Sequence, residues 1–158
     1  MISVALFQPD IAPNVGAILR LAACLDVAVH IIDPAGFPWS EKSLRRAGLD
    51  YMEQARIFRH ANFAGFRAAI ERRRLVLLST KAKATYTQFR FATGDVLLFG
   101  RETAGVPDAV HGAADARLTI PMRRGMRSLN VALACAMVAG EALRQTGAFP
   151  GETAEFGA

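Results

Sequence analysis

Leu97-Leu98-Phe99-Gly100-Arg101-Glu102-Thr103-Ala104-Gly105-Val106-Pro107 reads as an apolar strand that runs straight into a glycine, a polar turn, a second glycine and a proline. The strand shows no polar alternation, so both of its faces are buried, as in a parallel sheet covered by helices. A loop of this kind stands at the carboxyl end of a parallel strand, where open α/β sheets bind their ligands. Gly100 permits close approach of a ligand to the backbone, and Glu102 offers a carboxylate beside it. A tight strand-to-helix connection with no ligand would use the same pattern.

Outward from this stretch, the runs Ile2–Phe7, Ala28–Ile32, Arg56–Phe58, Leu75–Ser79 and Leu118–Ile120 are also short, mostly aliphatic and bounded by turn residues. Helical patterns separate them: Val15–Leu25, Glu41–Arg46, Phe63–Arg73, a short piece from Asp108, and a long final helix from Leu129 to about Gln145. Asn14, Ser40, Asn62 and Ser128 stand where N-caps belong. The alternation predicts an α/β fold, a mostly parallel sheet flanked by helices. A chain of 158 residues, 52% hydrophobic, has material for one substantial core. One domain is therefore expected over residues 1–150, followed by a loosely ordered tail, 151–158, in a stretch from Gly147 that has little periodicity.

Two further clusters carry chemistry. Asn14-Val15-Gly16-Ala17-Ile18-Leu19-Arg20 follows the first strand and opens the first helix, with Gly16 and Arg20 four residues apart and so helical neighbours. Taken alone it also fits an ordinary capped helix with one solvated arginine. Ile120-Pro121-Met122-Arg123-Arg124-Gly125-Met126-Arg127-Ser128-Leu129-Asn130-Val131 joins a strand end, a basic loop and a helix start. A helix N-terminus and the three arginines Arg123, Arg124 and Arg127 together attract anions. A dinucleotide-binding or conventional methyltransferase unit would place G-x-G-x-x-G after the first strand. That turn instead reads Gln8-Pro9-Asp10-Ile11-Ala12-Pro13-Asn14.

The formal net charge is +5, and the basic residues are mostly arginine. Guanidinium groups bind phosphate in a fork and stack on bases, which suits a nucleic-acid partner. No apolar run reaches the roughly 20 residues of a membrane span, and the N-terminal segment lacks a basic leader, so a cytoplasmic protein is expected. Cys24 and Cys135 fall in apolar helical patterns and are expected as buried free thiols. His30, His60 and His111 are scattered, one leading a strand and two near turns, and neither a metal site nor a Ser/His/Asp triad can be assembled from them.

These three clusters, in this order and spacing, resemble the motifs of the SPOUT superfamily, specifically its ribose-methylating TrmH-type branch, over residues 1 to about 150. Within that branch, His30-Ile31-Ile32-Asp33-Pro34-Ala35-Gly36-Phe37 and Arg45-Arg46-Ala47-Gly48-Leu49-Asp50-Tyr51 look like the TrmL-type wobble-position tRNA (cytidine/uridine-2′-O-)-methyltransferases. The resemblance implies a C-terminal trefoil knot holding S-adenosylmethionine, with Leu78, Gly100, Ile120, Ser128 and Leu129 as its contacts and no metal. It also implies a homodimer in which Arg20 of one subunit serves the cofactor site of the other, with Asn14 helping to place it. The substrate implied is a tRNA ribose 2′-hydroxyl. Arg20 would act as general base or, since a guanidinium above pKa ~12 is a poor base, as the cation that orients phosphate and steadies the nascent alkoxide. Val131-Ala132-Leu133 and Gly140 depart from the usual pattern and bear on the substrate more than on the reaction. Two other functions compete: a non-catalytic RNA-binding or ribosome-associated protein that keeps the fold, and a nucleotide hydrolase built on Glu102.

Overall fold

The computed structural model describes residues 1–40, 51 and 53–151. Seven strands form one sheet in the order β3-β2-β1-β6-β4-β7-β5, and every pairing is parallel. The strands are β1 Ser3–Phe7, β2 Ala28–Ile32, β3 Ile57–His60, β4 Leu75–Leu78, β5 Ala84–Thr85, β6 Val96–Phe99 and β7 Ala116–Thr119. Among the described residues, four α-helices cover them: α1 Ala12–Cys24, α2 Phe63–Ile70, α3 Asp108–Ala113 and α4 Val131–Thr146. The expected α/β architecture is the observed one.

Continuous apolar strands are explained by what lies on each side. Side chains alternate across a strand, so Val4 and Leu6 of β1, Val76 of β4 and Leu97 and Phe99 of β6 face α1 and α4, in a core with Val15, Ile18, Leu19, Cys135 and Val138. Ala5 and Phe7, Leu75 and Leu77, and Val96 and Leu98 face the other way, onto Phe66 and Ile70 of α2 and Val110 of α3. Both sheet faces are thereby dry. No helix among the described residues is long and apolar enough to cross a membrane.

Several boundaries differ from those read in the sequence. Helix α1 begins at Ala12, with Ile11 as N-cap and no side-chain cap bond. Pro13 permits this start, because its fixed φ suits the first turn and it has no N–H to satisfy. Asn14 is therefore inside the helix, its amide turned elsewhere. Helix α4 is capped by Asn130 rather than Ser128: its Oδ1 accepts the amides of Ala132 (2.8 Å) and Leu133 (3.3 Å). Asn62 does cap α2, accepting the Gly65 amide at 2.9 Å. That helix stops at Ile70, short of Arg73, because Arg73 and Arg74 are drawn off. Arg73 donates to the Gly94 carbonyl and Ser3 Oγ, and Arg74 holds both carboxylate oxygens of Asp95.

The two-residue β5 was not foreseen; Ala84-Thr85 has neither the length nor the hydrophobicity of a strand signal. Gly147 ends α4 in the left-handed region and Ala148 donates back to the Leu143 carbonyl, so residues up to Phe149 dock on the helix and core rather than trailing from it. Cys135 is buried as expected, and burial pushes its thiol up to about 12. Cys24 is exposed, on the side of α1's last turn turned away from the sheet. The expected helix Glu41–Arg46, the segment Arg45–Asp50 and residues 152–158 lie outside the described residues.

Candidate active site

The carboxyl ends of β4, β6 and β7 open into a cavity of about 550 Å³, within the range of small-molecule and cofactor sites. Leu78 ends β4, Gly100 follows β6 and Ile120 follows β7. Ser128 and Leu129 close the far wall just ahead of α4, and all five line this one cavity. Asn14 and Arg127 also reach it. The walls thus combine apolar side chains with main-chain groups of three strand-end loops.

The Gly100 loop is a closed bridge. The Arg101 amide donates to the Gly105 carbonyl and the Gly105 amide donates to the Arg101 carbonyl, each at 2.9 Å. Gly105 sits at φ +65°, which favours glycine. Gly100 has no room for a side chain, because a Cβ there would lie 2.6 Å from the Gly105 carbonyl carbon. The two glycines of the motif therefore serve each other as well as the cavity.

Asp10, which carried no signal in the sequence, braces the same loop. Its carboxylate accepts Arg101 Nη2 at 2.8 Å and the Thr103 hydroxyl at 2.6 Å, and these bonds, the arginine's foremost, hold its pKa below the usual carboxylate value. Glu102 turns away from the cavity centre toward the first helix. It accepts the Asp10 amide at 2.8 Å and Asn14 Nδ2 at 3.0 Å. Asn14 Oδ1 in turn accepts Asn130 Nδ2 at 2.9 Å. One chain of hydrogen bonds therefore links the Gly100 loop, the first turn of α1 and the cap of α4. With both carboxylate oxygens engaged in this brace, Glu102 is structural, and the hydrolase reading loses its acid/base candidate.

Arg20, Arg123 and Arg124 do not line the cavity of their own chain. Arg20 is exposed on α1 and lies over the Tyr51 ring. Arg123, Arg124 and Arg127 are all exposed on the loop after β7, where Gly125 at φ +90° reverses the chain. The histidines are less scattered than expected: His30 Nδ1 and His60 Nε2 are 2.9 Å apart across β2 and β3. Both lie on the α2 side of the sheet, in edge-to-face contact with Phe66. This pair is far from the cavity in the fold and belongs to the core.

Residues 1–140 match the SpoU rRNA Methylase family. The chain belongs to that family. A tRNA (cytidine(34)-2′-O)-methyltransferase of Beijerinckia indica is 62% identical to it over 146 residues, covering 91% of each chain. A solved structure described as giving insights into the 2-OH methylation of C/U34 on tRNA superposes with a TM-score of 0.88 at 41% identity, covering 92% of this chain and 95% of the other. An AdoMet-bound rRNA methyltransferase from Sinorhizobium meliloti superposes with a TM-score of 0.81 at 26% identity, covering 90% of this chain and 56% of that one. The resemblance read from the three motifs is thus the family found, and the chain is a methyltransferase of the SpoU type.

Proposed function

We propose that the protein transfers a methyl group from S-adenosylmethionine to the ribose 2′-hydroxyl of the wobble nucleotide of tRNA, as a cytoplasmic homodimer. The observation that carries this reading is the convergence of Leu78, Gly100, Ile120, Ser128 and Leu129 on one cavity. These residues come from four separate segments: strand pairing brings the ends of β4, β6 and β7 together, and the path into α4 adds Ser128 and Leu129 to the same wall. The cavity fits the cofactor's chemistry: main chain at Gly100 for polar edges, Leu78, Ile120 and Leu129 for an apolar ring. When bound there, S-adenosylmethionine supplies an electrophilic methyl group. The protein's task is then to align an oxygen and ease the loss of its proton.

Arg20 is the residue for that task. Its fork can hold a substrate phosphate in a bidentate pair while steadying the oxygen as the proton leaves. It stands outside its own cavity, which supports delivery into the cavity of a second subunit. Helices α1 and α4 pack side by side, and α4 presents Leu133 and Met137, 61% and 43% exposed, beside Leu129 at 39%. Such apolar exposure on a small protein suits an interface, here a two-fold one. Arg123, Arg124 and Arg127 would then meet the tRNA backbone. A trefoil knot at α4 accords with the link from its cap, through Asn14, to the Gly100 loop.

Purified protein incubated with S-adenosylmethionine and tRNA should yield a 2′-O-methylated nucleoside at position 34, read by mass spectrometry of nuclease fragments. The same nucleoside should vanish from the tRNA of a strain lacking the gene. Methylation elsewhere, or none with cofactor bound, would overturn the assignment.

A further inference from the structure

Among the described residues, three arginines lie over aromatic rings: Arg20 over Tyr51 at 4.9 Å from the centroid, Arg59 over Trp39 at 4.8 Å, and Arg74 over Phe89 at 4.8 Å. Two of them are also tied to a carboxylate. Arg59 gives Nη2 to both oxygens of Asp33 at 2.8 and 2.7 Å, and Arg74 gives Nε and Nη2 to the two oxygens of Asp95 at 2.8 and 2.7 Å. Those two stacks are structural clamps in which a carboxylate offsets the charge. Arg20 has the ring without the carboxylate, and its side chain makes no hydrogen bond or ion pair with any described residue.

Tyr51 is itself held in place. Its carbonyl accepts the amides of Gln54 at 3.2 Å and Ala55 at 2.9 Å, which fixes it in the turn that leads into β3. A ring attracts a cation through its face and uses none of the guanidinium's N–H groups, which all point outward in the guanidinium plane. A carboxylate could restrain the same head only by taking two of those donors and cancelling the charge. The Arg20 head is therefore restrained while no described residue takes any of its hydrogen-bonding edge.

We propose that Tyr51 is a positioning residue for methyl transfer, its ring holding the Arg20 guanidinium by one face so that the in-plane fork meets substrate phosphate and the reacting oxygen already oriented. This rests on the reading of Arg20 as the substrate-facing cation. It assigns no chemistry to the phenol hydroxyl. The gain is pre-organisation, since a long side chain fixed before substrate arrives loses less freedom in the transition state.

Single-turnover methylation of tRNA with saturating cofactor, measured on the full-length protein, tests this. Tyr51→Phe should keep the wild-type rate. Tyr51→Leu should slow the rate constant roughly three- to thirtyfold, the kinetic equivalent of one cation–π contact, with melting temperature and affinity for S-adenosylhomocysteine unchanged. In an Arg20→Ala background, Tyr51→Leu should cause no further loss. If Arg20→Ala abolishes transfer while Tyr51→Leu retains the full rate, the ring is idle and the proposal falls. It also falls if Tyr51→Leu slows the Arg20→Ala protein by the same factor, because the ring then acts on something else. An Arg20→Ala protein with most of its activity would instead sink the reading of Arg20 itself. Should Tyr51→Leu prove too unstable to assay, the Arg20 Nε proton of the wild type decides: ring stacking places it upfield of its random-coil resonance, and a random-coil position overturns the contact.

Discussion

A methyl group added at Gly100 would lie 2.6 Å from the carbonyl carbon of Gly105, 2.8 Å from its Cα and 2.9 Å from its oxygen. Carbon atoms in contact settle at about 3.5–4.0 Å, so Gly100→Ala forces the two limbs of the loop about 1 Å apart. All three atoms met are backbone, and no rotamer change can absorb the shift. Forced overpacking costs about 1–3 kcal/mol. Loss of the paired hydrogen bonds between Arg101 and Gly105, both 2.9 Å, adds about 0.5–1.5 kcal/mol each. A total of about 2–6 kcal/mol follows, equivalent to a melting temperature lower by about 4–24 °C in a domain of this size. The same limb forms the cavity wall, so affinity for S-adenosylhomocysteine should fall at least about tenfold, or 1.4 kcal/mol. Urea unfolding and titration calorimetry on the purified variant measure both. A Gly100→Ala protein that melts within about 2 °C of wild type and binds the cofactor product normally would refute this account of the loop.

Two other perturbations follow from geometry. Replacing Arg123, Arg124 and Arg127 by alanine should weaken tRNA binding and flatten its dependence on log salt by about 2–3, near one unit per lost phosphate contact, as read by filter binding across a salt series; an unchanged slope would move the RNA surface elsewhere. Burial, with the charges of His60 and Arg73 adding to it, lowers the His30 pKa to about 4 from 6.5. The unfolded chain therefore takes up a proton between those values that the native protein refuses. Stability should be full above pH 6.5 and fall by about 3 kcal/mol as pH drops to 4. Denaturant unfolding of wild type against His30→Gln isolates this, and parallel pH curves for the two would show that His30 contributes nothing.

The inner strands were legible because burial on both faces leaves its mark on them: Val96–Phe99 is apolar throughout, and Ala28–Ile32, apolar but for His30, was read to the residue. The edges were less so. Strand β3 has only half its residues turned to the core, and β5 is two residues long, so periodicity carries little information there. Helix starts were misplaced by two or three residues where several capping side chains compete, as Ser128 does with Asn130; only the three-dimensional path of the loop decides between them. The cavity residues were found through motif resemblance, and the structure does bring them together. What no spacing could reveal was pairing across the chain. Asp10 meets Arg101, and Glu102 meets Asn14, at separations of 91 and 88 residues. Local physical chemistry gives Asp10 no distinguishing mark, and it marks Glu102 only as a carboxylate beside Gly100, not as the partner of Asn14.

The strand order has a consequence for synthesis on the ribosome. Strand β1 emerges before the other strands, yet it lies inside the sheet, with β2 on one side and β6 on the other. Its second neighbour, in the pairing of Ser3 with Val96, is made about 90 residues later, a delay of roughly 5–20 s at 5–20 residues per second. Until then Val4, Leu6 and Phe7 have an open flank, and α4, which covers one face, comes later still. Half a nascent chain of this protein has no finished core to retreat to, so the sheet can close around β1 only once β6 has been made, and the protection of an exposed, fully apolar strand in the interval falls to whatever awaits the chain outside the exit tunnel.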